Sequence, residues 1–259
     1  MPPSEFPVSL IVPCYNEAKR LNAASFRAFL AQPSDVRFLF VDDGSTDTTM
    51  AVLLQIIAGF EQRAGILHCA KNGGKGEAVR LGILSALSTF HPHAVGFWDA
   101  DLATPLASVA SLLSVLKDQP HIEMVFGARV KLLGRHVERR AIRHYLGRVF
   151  ATFVSNMLGL SIYDSQCGAK LFRVTAGTEA IFAEPFISKW VFDVEILARY
   201  LTIHGKDPHH LEHIVYEYPL EAWADVAGSK VQPKDFFTAL VDMARIRRKY
   251  LKPGNSRRA

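Results

Sequence analysis

Along the first half of the chain, short runs of β-branched and aromatic residues alternate with longer stretches whose apolar positions recur at helical spacing. The runs VSLIVPCY, RFLFVDD, ILHCA, AVGFWDAD and EMVFGAR predict strands. The segments around Ala18 to Leu30, Thr46 to Arg63, Gly76 to Thr89 and Pro105 to Lys117 predict the helices between them. Strand and helix in alternation imply βαβ units, and so an α/β fold with a mostly parallel central sheet flanked by helices. No internal repeat or low-complexity linker interrupts the pattern. The expectation is one domain over residues 1–229, followed over 230–259 by a C-terminal amphipathic helix and a basic tail.

Polar motifs fall just after the predicted strand ends: PCYNE after the first, DDGSTD after the second, KNGGKGE after the third and DADLATP after the fourth. In open α/β sheets ligands bind at the carboxyl edge, so four such motifs there point to one site. In DADLATP, Asp99 and Asp101 lie two apart at a strand end, where an extended backbone points both to the same side. Two such carboxylates repel unless a cation lies between them, and oxygen ligands of this kind suit Mg²⁺ or Mn²⁺ completed by substrate phosphates. Thr104 is expected to cap the next helix, with Pro105 at its first position.

In DDGSTD, Gly44 permits a tight turn and Ser45 or Thr46 is a candidate cap for the following helix. Either Asp42 or Asp43 is placed to accept from a nucleobase, the other serving the turn. In KNGGKGEA, two glycines flank Lys75 ahead of a helix, so backbone amides and an ammonium face an anion, or the lysine is simply solvated. The spacing is not that of a Walker A loop. Further on, Asp193 and Glu195 in KWVFDVEIL cannot share a helix face. Glu195 is expected to form a surface pair with Arg199, while Asp193, on the face of Trp190, is the better site candidate.

Composition narrows the class. The 259 residues are 49% hydrophobic and 21% charged, with a net charge of +5, which excludes a disordered or fibrous chain. The three cysteines are dispersed, which favours a reducing, cytoplasmic setting. The start MPPSEFPV lacks the pattern of a signal peptide, and no stretch reaches membrane-spanning length. Basic residues concentrate: Arg129 to Arg148 holds seven against the single acid Glu138, and Arg245 to Arg258 holds seven with none. These segments adjoin apolar stripes, Ile142, Tyr145, Leu146, Val149, Phe150, Phe153, Val154, Met157 and Leu158 in one, Phe236, Phe237, Leu240, Met243 and Ile246 in the other. Such helices lie in a membrane interface, or pack into a core or dimer. Acidic motifs at the site edge and the lack of interleaved aromatics argue against nucleic acid as partner. No histidine spacing suits a metal, and no GxSxG suggests covalent catalysis.

The ordered set PCYNE, VDDGSTD, NGGKGEAVRLG, DAD, GAR and FDVEIL resembles the family-2 inverting glycosyltransferases of GT-A (Rossmann-like) fold. DADLAT, DSQCGAKLF, KWVFDVEIL and VAGSKVQP are similar to the polyprenyl-phosphate branch, in particular its dolichyl-phosphate β-glucosyltransferases. The resemblance implies that Pro13, Tyr15, Glu17, Val41 and Asp43 hold the nucleoside of a nucleotide sugar. It implies a divalent metal and diphosphate at Asp99 and Asp101, with Ala100 in backbone contact. Arg129 and Lys230 would meet phosphates at the transfer centre, and Lys75, Asp164, Gln166 and Asp193 would line the sugar and acceptor side. The groups expected to act in transfer are thus Asp101, Arg129, Lys230 and Asp193.

The implied reaction is metal-dependent transfer of glucose from UDP-glucose to a dolichyl or undecaprenyl phosphate. DADLAT, in place of the DADLQ or DADLSHP of mannosyl members, tilts the sugar toward glucose. The alternatives are GDP-mannose as donor or a glycan hydroxyl as acceptor, for which Asp193 would be the base. The implied setting is the cytoplasm, with peripheral contact at the membrane, although the anchor of the eukaryotic enzymes is not seen here.

Overall fold

A computed structural model describes residues 6–138, 141–226 and 233–251. The chain begins with three strands and their crossovers: β1 (Val8–Cys14), α1 (Ala23–Ala31), β2 (Val36–Asp43), α2 (Thr49–Ile57), β3 (Ala64–Cys69) and α3 (Lys75–Phe90). It continues through β4 (Ala94–Trp98), α4 (Ser108–Asp118), β5 (Met124–Ala128), the short β6 (His136–Glu138) and α5 (Ala141–Leu158). Then come β7 (Ala169–Arg173), α6 (Ala176–Ala183), α7 (Phe192–Ile203), α8 (Pro208–Ile214), β8 (Val215–Pro219), β9 (Ala222–Ala224) and α9 (Pro233–Ile246), ending in a wider turn over Arg247–Leu251.

Seven strands form one sheet in the order β3-β2-β1-β4-β7-β5-β8, and β6 pairs with β9 in a small second sheet. The four strands from β3 to β4 are parallel. β7 runs antiparallel between β4 and β5, and β8 is parallel to β5. The sheet is therefore mostly parallel and flanked by helices, as the alternation predicts. Period-two alternation explains how both faces are covered. In β2, Phe38 and Phe40 join Phe26 and Trp98 in one core layer. Leu39 and Val41 join Ile11, Ile83 and the residues of α7 in the other.

The helix order is as predicted, but the boundaries move. α4 starts at Ser108 with Ala107 as its cap, not at Thr104–Pro105. Thr104 is buried, and its carbonyl accepts instead from the Trp98 indole at 2.8 Å. α2 likewise takes Thr48 as its cap, without a side-chain hydrogen bond, rather than Ser45 or Thr46. The expected boundary between residues 229 and 230 falls outside the described residues.

Where their side chains are described, the two apolar stripes divide between core and surface; the side chains of Ile142, Tyr145, Leu146, Phe236 and Phe237 lie outside the described ones. On α5, Val154 and Leu158 are buried while Val149 is 71% and Phe153 50% exposed. On α9, Met243 and Ile246 are buried and Leu240 is 54% exposed. Each helix needs part of its stripe to close the second core layer. Among the described residues no helix is long and apolar enough to cross a membrane.

Candidate active site

The chain runs outward from β1 through β2 to β3, then returns to place β4 on the other side of β1. This is a topological switch point, and the crevice beyond the carboxyl ends of β1 and β4 is where such a sheet takes a ligand. The PCYNE, DDGSTD and DAD motifs meet there. Pro13 is in register with Val41 across β1 and β2. Beyond them Asn16, at φ 50°, accepts from Thr46 N at 2.8 Å and donates its own amide to Ser45 Oγ at 3.0 Å. Glu17 N donates to Thr49 Oγ1 at 2.8 Å.

Of the residues implied to hold a nucleoside, Tyr15 is 37% exposed, while Glu17, Val41 and Asp43 are buried. Val41 belongs to the core layer under α3. The Asp43 carboxylate accepts from Asn72 Nδ2 at 2.9 Å and from the Gly73 and Gly74 amides at 2.8 Å each. It therefore holds the glycine loop in place. Burial raises its pKa, against those two amides, which lower it. Asp42 is the turn residue: its carboxylate accepts from Ser45 N at 3.2 Å and contacts His68 Nδ1 at 2.8 Å.

The acidic pair sits in a turn rather than on extended backbone. β4 ends at Trp98, and Leu102 at φ 53° turns the chain back. Side-chain alternation on a strand therefore does not bring Asp99 and Asp101 together; the turn does. Each carboxylate carries its own cation. Lys75 Nζ lies 2.5 Å from Asp99 Oδ1, and Arg20 NH2 lies 2.6 Å from Asp101 Oδ2. Asp101 Oδ1 also accepts from Ala103 N at 3.1 Å, while the intervening Ala100 is buried in the core.

Burial, and then the neighbouring Asp99 charge, raise the Asp101 pKa. Burial works against the Lys75 ammonium, but Asp99, Asp193 and Asp101 outweigh it and raise its pKa. The place thus demands positive charge, and its donors are carboxylate oxygens, so the residues fit a hard divalent cation. Among the described residues no set of three His, Cys, Asp or Glu could hold a metal alone. The pair fits a metal whose remaining positions are filled by a ligand's oxygens.

The DSQCG segment closes the opposite wall. Asp99 N donates to Gly168 O at 3.0 Å. A Cβ at Gly168 would lie 1.8 Å from Asp99 Oδ2, so no side chain fits there. Asp164 grips Arg129 through two parallel bonds, Nε to Oδ2 at 2.5 Å and NH2 to Oδ1 at 2.7 Å. The guanidinium also lies over the Trp223 ring, 5.2 Å from its centroid. Burial opposes its charge, but Asp164 holds the Arg129 pKa well above the ordinary value, with Asp99 adding to the effect. Asp164 is itself seated by Glu217, which accepts from the Tyr163 and Asp164 amides. Gln166 is half-buried in the same loop. Lys230 lies outside the described residues.

Two cations in this site have no counterpart in the sequence reading. Lys170 is fully buried, with Nζ 2.7 Å from Asp193 Oδ1 and 2.5 Å from the Cys167 carbonyl. A lysine inside the apolar strand AKLFR was its only local signal. Arg20 had none, since its partner Asp101 is 81 positions away. Asp193, expected at the sugar or acceptor side, is buried and paired with Lys170. The expected surface pair Glu195–Arg199 is instead buried, because α7 is covered on all sides. Arg199 also donates to the Ile181, Glu184 and Pro185 carbonyls, and Tyr250 Oη donates to Glu195.

Comparison with known proteins bears on the family and the fold. Residues 9–177 match the family described as Glycosyl transferase family 2. The chain is 33% identical to a dolichyl-phosphate beta-glucosyltransferase of Drosophila melanogaster, over 87% of this chain and 69% of that protein. It is 31% identical to the Homo sapiens protein of the same description, over 87% and 70% respectively. Among solved structures, glucosyl-3-phosphoglycerate synthase from Mycobacterium tuberculosis in complex with uridine-diphosphate shares the fold, with TM-score 0.65 at 18% identity over 94% of this chain and 80% of that one. The same synthase with Mn²⁺, uridine-diphosphate and glucosyl-3-phosphoglycerate gives TM-score 0.62 at 20% identity, over 93% and 77%.

Proposed function

The chain belongs to glycosyl transferase family 2, among the dolichyl-phosphate beta-glucosyltransferases, and on that premise we propose that it transfers glucose from UDP-glucose to a polyprenyl phosphate with inversion. The observation that carries the reading is the charge arrangement at the switch point. Asp99 and Asp101 face Lys75 and Arg20, and Arg129 stands beside them.

Asp99 and Asp101 would hold Mg²⁺ or Mn²⁺, which as a Lewis acid stabilises the charge that develops on the leaving nucleoside diphosphate. The protein's residues then have defined tasks. Tyr15 and Pro13 border the nucleoside. Lys75 and Arg20 balance the acidic pair, and with a cation held there they would be free to meet the donor's diphosphate oxygens. These contacts strengthen as the leaving group gains charge, which is the condition for raising rate rather than merely binding.

A phosphomonoester acceptor has a second pKa of about 6 and is mostly a dianion at neutral pH. It needs orientation rather than a general base. Arg129 suits this because Asp164 engages its Nε and NH2 and fixes the guanidinium plane, so a phosphate meets the NH1 side. Asp193, buried against Lys170, is badly placed to deprotonate a sugar hydroxyl, which favours the phosphate acceptor. The protein would then work at the cytoplasmic face of a membrane, where such lipids present their phosphates.

Calorimetric titration tests the donor half. UDP-glucose should bind with Mn²⁺ and lose at least about tenfold in affinity without it or in Asp101→Asn, a difference of about 1.4 kcal/mol. Undecaprenyl phosphate should then be glucosylated. Binding of GDP-mannose in preference to UDP-glucose would move the protein to a mannosyl donor, and binding of neither would refute the reading.

A further inference from the structure

Between β5 and β6 the chain makes a tight turn that the functional reading leaves unused. Arg135 N donates to Leu132 O at 3.2 Å, closing a four-residue turn with Leu133 and Gly134 at its centre. Gly134 has φ +76°, as the third position of a type II turn requires. Leu133 at the apex is fully exposed, at 103%, and Leu132 is 48% exposed. A single exposed leucine is ordinary, but two in succession at a turn apex, one half-covered and one fully exposed among the described residues, form an apolar point.

The turn is braced at both ends. On one side Arg129 is forked onto Asp164. On the other, Arg135 NH1 pairs with Glu221 Oε1 at 3.1 Å and His136 N donates to the Glu221 carbonyl at 2.8 Å. β6 then pairs with β9, burying Val137 and Trp223.

We propose that this turn, Leu132–Arg135, is the element that enters the lipid interface and sets the transfer centre at headgroup depth. The proposal rests on the polyprenyl-phosphate reading for its purpose, though not for its geometry. The partner it fits is apolar below and anionic above. The leucines supply the first property, and the exposed Lys131 beside them supplies the second. Residues 129–140 hold five Arg or Lys against Glu138 alone. Leu133 lies four positions beyond Arg129, a reach of at most about 14 Å. Interfacial elements settle about 5–10 Å into the boundary between headgroups and acyl chains. A tip at that depth leaves Arg129 among the headgroups, where a lipid-borne phosphate lies while its polyprenyl tail stays in the bilayer.

The test uses the full chain with phosphatidylcholine vesicles, with and without phosphatidylglycerol, read by co-sedimentation. Wild type should bind the anionic vesicles, and Leu132→Ser/Leu133→Ser should weaken binding about tenfold or more. Lys131→Ala should weaken it about fivefold on anionic vesicles and hardly at all on neutral ones. Unchanged thermal unfolding of these surface variants confirms that they fold. With UDP-glucose and Mn²⁺, the double variant should glucosylate a water-soluble short-chain polyprenyl phosphate at the wild-type rate, yet act slowly on undecaprenyl phosphate in vesicles. Wild type that ignores vesicles, or a double variant that binds them undiminished, overturns the proposal, as does equal loss on both acceptors. Leucine-dependent vesicle binding without transfer to any polyprenyl phosphate would support the tip and overturn the acceptor assignment instead.

Discussion

Gly168 leaves no room beyond its hydrogen: any Cβ would fall 1.8 Å from Asp99 Oδ2. Gly168→Ala must therefore push the Asp99 carboxylate away from Lys75 and the acidic turn. The expected outcome is a fall in metal-dependent UDP-glucose affinity of at least about tenfold, with an overpacking cost of about 1–3 kcal/mol. Titration and thermal unfolding read the two effects separately, and unchanged affinity would contradict the assignment of Asp99. Asp47 makes a second single-residue case. Burial opposes its charge, but the Thr49 hydroxyl and amide and the Ala18 amide outweigh it and lower its pKa. A depressed carboxylate contributes stability that is present above its ordinary pKa and lost as pH falls through the lowered value. Asp47 is exposed, so solvent screening leaves Asp47→Ala a cost of about 0.5 kcal/mol or less at pH 7. Chemical denaturation should show that difference shrinking below about pH 4, and a pH-independent difference would reject the account.

Among the elements, β7 and α7 are joined through one buried pair, Lys170–Asp193. The lysine also holds the Cys167 carbonyl and so ties the DSQCG loop to both. Lys170→Met leaves a buried carboxylate without its cation and should cost about 3–5 kcal/mol. Adding Asp193→Leu should recover much of that loss in denaturant unfolding, because two apolar residues replace a charge pair. A double variant no more stable than Lys170→Met would show that the pair is not the link. Element by element, the chain's pattern predicts the order of the first five strands and four helices, but not every boundary. Pro105 suggests a helix start that the buried Thr104 forestalls, since the Trp98 indole takes the Thr104 carbonyl. β6 and β9, three residues each, carry too few positions for any periodicity to register. Glu195 and Arg199 show the same limit: their spacing is that of any surface pair, and only the covering of α7 on all sides makes them core.

At the scale of the whole molecule, the sheet order 3-2-1-4 gathers loops from distant parts of the chain at one edge. The motifs PCYNE, DDGSTD and DADLATP are visible in the sequence because each is local, a few polar residues following an apolar run. Their convergence follows from the rule for α/β sheets. The same local patterns determined the fold class, the family and the residue types of the candidate site. Tertiary structure decided which of those residues face one another. It set Arg20 on Asp101 across 81 positions, turned Asp43 onto the glycine loop and paired Asp193 with Lys170. It also divided the apolar stripes of α5 and α9 between core and surface. Periodicity is written by neighbours in the chain, whereas a long-range ion pair depends on strand order and on which face each helix buries, and no local pattern encodes either.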